Sequence, residues 1–389
     1  GQRFGFGLPE LERCIWVHAV SVGEVQAAAP LIRALAERFS DHEILVTTVT
    51  PTGAARVKSL FGDTVHHAYV PFEFPHAVNA LFRRSNPSAA LVMETEIWPN
   101  LYRGCGVRGI PLILVSARIS PKSIPGYRKL LPLIRETLSH GIIIASQSQQ
   151  DADRFLSLGA NPERTCVMGN IKFDLQHDEG VVMRGREERA RLFGDRPVWI
   201  AASTLVGEDE LVLDVHEAMR ARYEDLLLVL VPRHPERFGS VRELVRHRGF
   251  SMVSRTEGRA AGQAAVFLCD TMGEVPLFYA ASDVAFVAGS LVPIGGHNLL
   301  EPAALGVPVV TGPYNFNAQD IADLFIGMGA CLRVEGPDEL VGAVSNLLAN
   351  PDKAARLGRA GQKVLEDNRG ALQRLLVLLE PLLDRDVPA

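Results

Sequence analysis

No apolar run in this chain approaches the ~18 residues that a membrane-crossing helix needs, so no spanning segment is read in it. Cysteine is scarce. Cys14, Cys105, Cys166, Cys269 and Cys331 are odd in number and scattered, with no pair at metal-ligand spacing. That excludes a disulfide framework and reads as buried thiols of a reducing compartment. A Gly-Lys-Ser/Thr phosphate loop is absent, and no G-x-G-x-x-G follows the first apolar run, which argues against a nicotinamide cofactor. His66, His67 and His76 read as structural, so neither a metal nor another cofactor is implied. Basic excess is lacking too. The net charge is −5 and the isoelectric point about 6.2, which gives no reason to expect nucleic acid.

One stretch lacks acids altogether. Residues 97–135 hold no Asp or Glu, but do hold Arg103, Arg108, Arg118, Lys122, Arg128, Lys129 and Arg135. Two readings stand: a face for an acidic partner, such as phosphorylated lipid or an anionic membrane surface, or a solvated surface that happens to lack acids. The chain opens on Gly1 rather than methionine, which leaves an upstream anchor open.

What is present is a repeated rhythm. The 389 residues are 47% hydrophobic and 22% charged, enough for two cores and too apolar for disorder. Short apolar runs alternate with amphipathic stretches. Strands are expected over 14–20, 43–48, 66–70, 89–93, 111–115, 141–145 and 165–168. A second set is expected over 198–202, 226–231, 265–268, 284–287, 307–311 and 331–334. This is the pattern of parallel sheets covered by helices on both faces. It predicts an α/β protein of two doubly wound, Rossmann-like domains facing a central cleft. The expected boundaries are 1–170 for the first domain, 171–185 for a linker, 186–365 for the second domain, and 366–389 for a leucine-rich helix packing back toward the first. Ligands of such sheets sit beyond the carboxyl ends of the strands, so the chemistry is sought in those turns.

The turn His18-Ala19-Val20-Ser21-Val22-Gly23-Glu24 opens a helix with a carboxylate. Glu24 is either an acid favoured by the helix dipole or a general base; the helix end lowers its pKa and burial raises it. Next comes Glu94-Thr95-Glu96-Ile97-Trp98-Pro99-Asn100. If the strand continues, both acids point the same way and need a cation or a proton between them. Arg118, at a third strand exit, is expected to be free for an anion. Lys172, in Asn170-Ile171-Lys172-Phe173-Asp174, is either a ligand contact at the domain junction or a surface lysine. In the second half, Ser203-Thr204 offers hydroxyls and amides, and Pro232-Arg233 a rigidly flanked guanidinium, for phosphate. Met272-Gly273-Glu274 precedes a helix. The turn Gly295-Gly296-His297-Asn298-Leu299-Leu300-Glu301-Pro302 brings glycines and free helix N–H groups to a nucleotide, with Glu301 suited to ribose hydroxyls.

Together these turns resemble the bacterial 3-deoxy-D-manno-octulosonic acid (Kdo) transferases over nearly the whole chain. The likeness rests on residues 16–24, 94–100, 170–174, 231–238 and 295–302. It implies the GT-B fold and an inverting transfer of Kdo from CMP-Kdo to a lipid A precursor. It implies Glu24 as general base, and Glu94 and Lys172 as transition-state stabilisers. It implies a CMP site of Pro232, Arg233, Met272, Gly273, Glu274, Asn298, Leu299, Leu300 and Glu301. Acceptor or anion contacts are expected of Glu96, Arg118, Arg128 and Lys129. The likeness also implies the cytoplasmic face of the inner membrane, reached peripherally or through an N-terminal anchor outside this chain.

One departure stands out. The family pattern reads Ser-Thr-His before a Gly-Glu pair, whereas here it is Ser203-Thr204-Leu205-Val206-Gly207-Glu208, and leucine donates to nothing. Two other readings stay open: a nucleotide-sugar 2-epimerase of the same two-domain form, and a non-catalytic nucleotide-binding module.

Overall fold

The computed structural model describes residues 1–175 and 180–383; residues 176–179 of the expected linker and 384–389 of the expected terminal helix lie outside them. The chain divides into two compact units, Gly1–Asp174 with the chain from Asn368 onward, and Leu175–Asp367. Each is built on a parallel seven-stranded sheet.

The first sheet comprises β1 (Cys14–His18), β2 (Glu43–Thr48), β3 (His66–Tyr69), β4 (Pro87–Met93), β5 (Leu112–Ala117), β6 (Ile143–Ser146) and β7 (Thr165–Val167), in the order β3-β2-β1-β4-β5-β6-β7. Its inner strands are buried on both faces, which is why they read as continuous apolar runs, whereas the edge strands β3 and β7 are partly exposed. Ile15 and Val17 pack with Leu31 and Leu35 of the helix Val22–Arg38 and with Leu375 and Leu379 of the helix Ala371–Leu383. Trp16 faces the other way, onto Leu81, Phe82 and Tyr102. The chain winds outward from β1 to β3, then returns to place β4 on the other side of β1. The turns leaving β1 and β4 therefore diverge, and a crevice opens at their carboxyl ends.

The second sheet comprises β8 (Val198–Thr204), β9 (Leu227–Pro232), β10 (Met252–Ser254), β11 (Val266–Leu268), β12 (Val284–Val287), β13 (Val309–Thr311) and β14 (Cys331–Arg333), in the order β10-β11-β9-β8-β12-β13-β14. Here the winding reverses between β8 and β12. The edge strand β10 has no counterpart among the expected strands; its Met252 and Val253 stand between Ser251 and Ser254 and form no apolar run. The expected strand over 307–311 starts later, at Val309. Pro308, which carries no N–H for the ladder, lies before it.

Two strands are bulged near their carboxyl ends. The register of β5 slips at Ser116 and that of β8 at Ser203. Ser116 has φ 50°, Ser203 φ 67°, and Glu94, just past β4, φ 55°. Non-glycine residues avoid this region at a cost of roughly 1–3 kcal/mol each, and such strain gathers at functional sites. Among the described residues, no helix is long and apolar enough to cross a membrane. All five cysteines are unpaired. The expectation that all are buried is corrected at Cys166, which is exposed because β7 is an edge strand.

Candidate active site

Glu24 sits in the first turn of the helix Val22–Arg38, at the winding reversal of the first sheet. Ser21 caps that helix, its Oγ accepting from Glu24 N at 3.4 Å, and Glu24 Oε2 in return accepts from Val20 N at 2.8 Å. This resembles a capping box. Burial nonetheless pushes the Glu24 carboxyl up to about 7, against the pull of the Val20 N–H; Glu94 and Glu96 push the same way, and Lys172 pulls it back. The competition left open by the sequence goes to burial.

Glu94 lies across that crevice, at the exit of β4. The expectation that Glu94 and Glu96 share one strand face is corrected here. The strand stops at Met93, and the left-handed backbone at Glu94 breaks the strand alternation that would set both acids on one face. Glu94 Oε1 accepts from Lys172 Nζ at 2.6 Å and Oε2 from Arg118 Nε at 3.1 Å. Burial opposes its ionisation, but Lys172 and Arg118 outweigh burial and hold its pKa below the usual carboxylate value. Arg118 is therefore not free for an anion, as the sequence suggested, since the bulge at Ser116 brings it back onto Glu94. Glu96 accepts instead from Trp98 Nε1 at 2.8 Å; burial raises its pKa, with Glu94 adding to the rise.

In the second unit, Glu208 is fully buried. Its Oε2 accepts from Gly289 N at 2.6 Å, and its Oε1 from Ser290 N at 3.1 Å and Leu291 N at 3.0 Å. Leu205 N approaches Oε2 at 3.4 Å. Glu208 thus ties the turn after β8 to the turn after β12 at the reversal of the second sheet. Sequence reasoning did not single it out; the one available signal was an acid directly after Gly207. The Leu205 side chain is buried and would lie 3.3 Å from a Cβ placed on Gly289. In this turn the bonds run through the backbone and Glu208, and Leu205 packs.

Beside it stands His297, whose Nε2 is buried without a partner among the described residues. Burial first, then Arg233, brings His297 down to about 4, so the ring is neutral at pH 7. Arg233 N donates to Thr204 O at 3.0 Å. Neighbouring Arg237 is committed internally, to Thr204 O at 2.6 Å and to Asp209.

The other expected donor residues occupy loops and a short helix. Glu274 is held by Arg255 at 2.6 Å and by Thr271, and these bonds keep its pKa low. Met272 is exposed, and Gly273 has φ 84°. Pro232 ends β9. Asn298 Oδ1 accepts from Leu300 N at 3.1 Å and its Nδ2 donates to Glu301 at 3.2 Å, at the head of the helix Leu300–Ala304. Leu299 and Leu300 are buried. The acid-free stretch does not form one uniform face. Arg118 turns onto Glu94, and Arg108 lies over the Phe82 ring at 4.7 Å. Lys122, Arg128 and Lys129 are exposed, next to exposed Leu130 and Leu133. Among the described residues, no three His, Cys, Asp or Glu gather as a metal cluster.

Comparison with known proteins follows the two units. The family described as "3-Deoxy-D-manno-octulosonic-acid transferase (kdotransferase)" matches residues 1–175, and "Glycosyl transferases group 1" matches residues 257–364. A UDP-GlcNAc 2-epimerase from Neisseria meningitidis has a TM-score of 0.63 at 14% identity, covering 95% of this chain and 100% of its own. A glycosyltransferase from Rickettsia africae has a TM-score of 0.59 at 12% identity, covering 98% and 100%. At such identities they share the fold alone. Two parallel doubly wound units with these matches define a glycosyltransferase of the GT-B fold. The 3-deoxy-D-manno-octulosonic acid transferase of Haemophilus influenzae is 43% identical over 375 residues, 96% of this chain and 88% of its own. That of Bordetella pertussis is 36% identical over 379 residues, 95% and 87%. The chain belongs to the Kdo transferase family. The epimerase alternative is not favoured, because epimerases match in fold while these full-length relatives are transferases.

Proposed function

We propose that this Kdo transferase takes Kdo from CMP-Kdo and delivers it, with inversion, to a hydroxyl of a lipid A precursor. The first unit binds the acceptor and supplies the base; the second holds the donor. The acceptor hydroxyl gives its proton to Glu24 as its oxygen bonds to the anomeric carbon. The bond from that carbon to the CMP phosphate oxygen breaks, and the phosphate leaves with the electron pair. Positive charge developing at the anomeric carbon is offset by Glu94, whose own charge is held by Lys172 and Arg118. Arg233 and the helix end at Leu300 answer the anionic donor, with Met272, Gly273, Glu274 and Asn298 through Glu301 around the nucleotide. CMP is a good leaving group, so no metal is assigned a step. Arg128 and Lys129, with Leu130 and Leu133, face the anionic inner-membrane surface, and Glu96 the acceptor.

The observation that carries this proposal is geometric: Glu24 stands at the winding reversal of the first sheet, where Glu94 at the exit of β4 is paired with Lys172 and Arg118, and burial that raises Glu24 suits it to take a proton near neutral pH. Glu24→Gln is expected to abolish turnover of CMP-Kdo and acceptor while CMP binding survives. Near-normal turnover in that variant removes Glu24 as the base.

A further inference from the structure

Lys172 reaches Glu94 from a segment that is tied down on two sides. On one side, Ile171 N donates to Ser116 Oγ at 3.1 Å. Asn170 Nδ2 donates to Gln147 Oε1 at 3.1 Å, and Gln147 Nε2 to the Ser116 carbonyl at 3.0 Å. Asn170 Oδ1 in turn accepts from Lys172 N at 3.0 Å. Ser116 is the strained residue of the β5 bulge, two positions before Arg118. Both cations on Glu94 are thus carried by one bonded framework.

On the other side the segment meets the C-terminal helix Ala371–Leu383. Asp174 Oδ1 accepts from Gly370 N at 2.6 Å, and Oδ2 from Leu372 N at 2.7 Å. These are N–H groups that a helix start cannot satisfy within itself, and a carboxylate there also meets the positive end of the helix. Arg374 reaches back from the first turn, its Nε and Nη2 donating to Met168 O at 3.0 and 2.8 Å. Gly169 makes room for it, since a Cβ there would stand 3.1 Å from Arg374 Nη2. Ile171 and Met168 share a core with Ala371 and Leu375.

We propose that Asp174 is a positioning residue for the transfer: by clasping the start of the C-terminal helix, it fixes the turn Ile171–Asp174 where Lys172 reaches Glu94. This rests on the proposed role of Lys172 and Glu94. Asp174 lies two residues from Lys172, and both its oxygens are engaged by backbone. Loosening it moves the turn, and a displacement of about 1 Å near reacting groups is enough to cost roughly 10²-fold in rate.

The test compares Asp174→Asn, Lys172→Met and the double variant in the full chain. Asparagine keeps one acceptor oxygen but presents an amide to the second N–H. The measurements are kcat, KM for CMP-Kdo and for the lipid acceptor, the pH–rate profile, CMP affinity and the thermal melt. Asp174→Asn is expected to lower kcat about 10- to 100-fold with both KM values within about twofold. The acid limb of its profile should move to higher pH, because Lys172 no longer holds Glu24 down. Added to Lys172→Met, it should cost little more. Wild-type kcat and acid limb in Asp174→Asn, beside an inactive Lys172→Met, would overturn the coupling and leave the site reading standing. A full second loss in the double variant would also overturn it, showing that Asp174 acts independently of Lys172. Normal turnover in Lys172→Met would instead sink the site reading itself. If Asp174→Asn loses its cooperative melt, Asp174→Ser, which keeps an oxygen for the helix amides, carries the same comparison.

Discussion

Lys172 Nζ meets Glu94 Oε1 at 2.6 Å across 78 positions of sequence. Arg118 takes the other oxygen, so a carboxylate lodged in a buried crevice stays ionised. Its neighbour Glu24, which has no ion pair among the described residues, is driven the opposite way by burial. Two glutamates at one winding reversal thus differ in proton affinity, Glu94 held below and Glu24 raised above the ordinary carboxylate value, by burial and by where the cations fall.

With Glu24 as the proposed base, this separation should set the pH dependence of turnover. A base with a pKa of about 7 is protonated and idle below that pH. The rate constant kcat/KM should therefore rise tenfold per pH unit up to about 7 and then level. Lys172→Met removes a charge that lowers Glu24, so its acid limb should lie at higher pH, with kcat down about 10²–10³-fold. A limb near 4.5 in the wild type, the ordinary glutamate value, is the result that contradicts the assignment.

The same group affects stability with a definite sign. A carboxyl raised in the folded state binds its proton more tightly there than when unfolded. Folding is therefore favoured below the unfolded value and loses that contribution as pH rises through about 7. Glu24→Gln should accordingly melt above the wild type at pH 8, with the gap closing toward pH 4.5. Calorimetry at the two pH values checks it, and an equal gap at both would show that burial is not the cause.

Glu208 should be indispensable to the second unit although it need not touch the donor. Glu208→Ala strands the N–H groups of Gly289, Ser290 and Leu291, each worth about 1–3 kcal/mol if left unsatisfied. We expect a melting temperature lowered by several degrees and CMP affinity weakened at least tenfold. Unchanged CMP affinity in a destabilised variant would confine Glu208 to folding.

The exposed basic residues give a separable prediction. Reversing charge at Arg128 and Lys129 should weaken binding to anionic liposomes and raise KM for the lipid acceptor, leaving KM for CMP-Kdo in place. The effect should shrink with added salt. No change in liposome binding or acceptor KM would remove the membrane role from this stretch.

Much of the architecture was legible because parallel strands buried on both faces leave continuous apolar runs, as at Ile113–Val115 and Leu227–Val231. Strand β10 was not, because its two apolar residues, Met252 and Val253, stand between serines and form no apolar run. The motif residues Glu24 and Glu94 stood out as polar groups at strand exits, and Lys172 as a lysine at the expected domain junction. What they touch did not. Arg118 read as an open anion contact and proved to be Glu94's partner. Glu208 read as part of a broken motif and proved to be the clasp of two turns. Position 205 read as a missing donor and proved to be packing.

Composition and periodicity alone determined two doubly wound units and pointed to the turns at their strand ends, because burial and strand period are local properties of the chain. The charge states of Glu24 and Glu94 were decided only by the tertiary structure. They depend on desolvation and on cations brought from positions 118 and 172 by sheet order and by a bulge at Ser116, and neither sheet order nor a bulge is encoded in any local pattern.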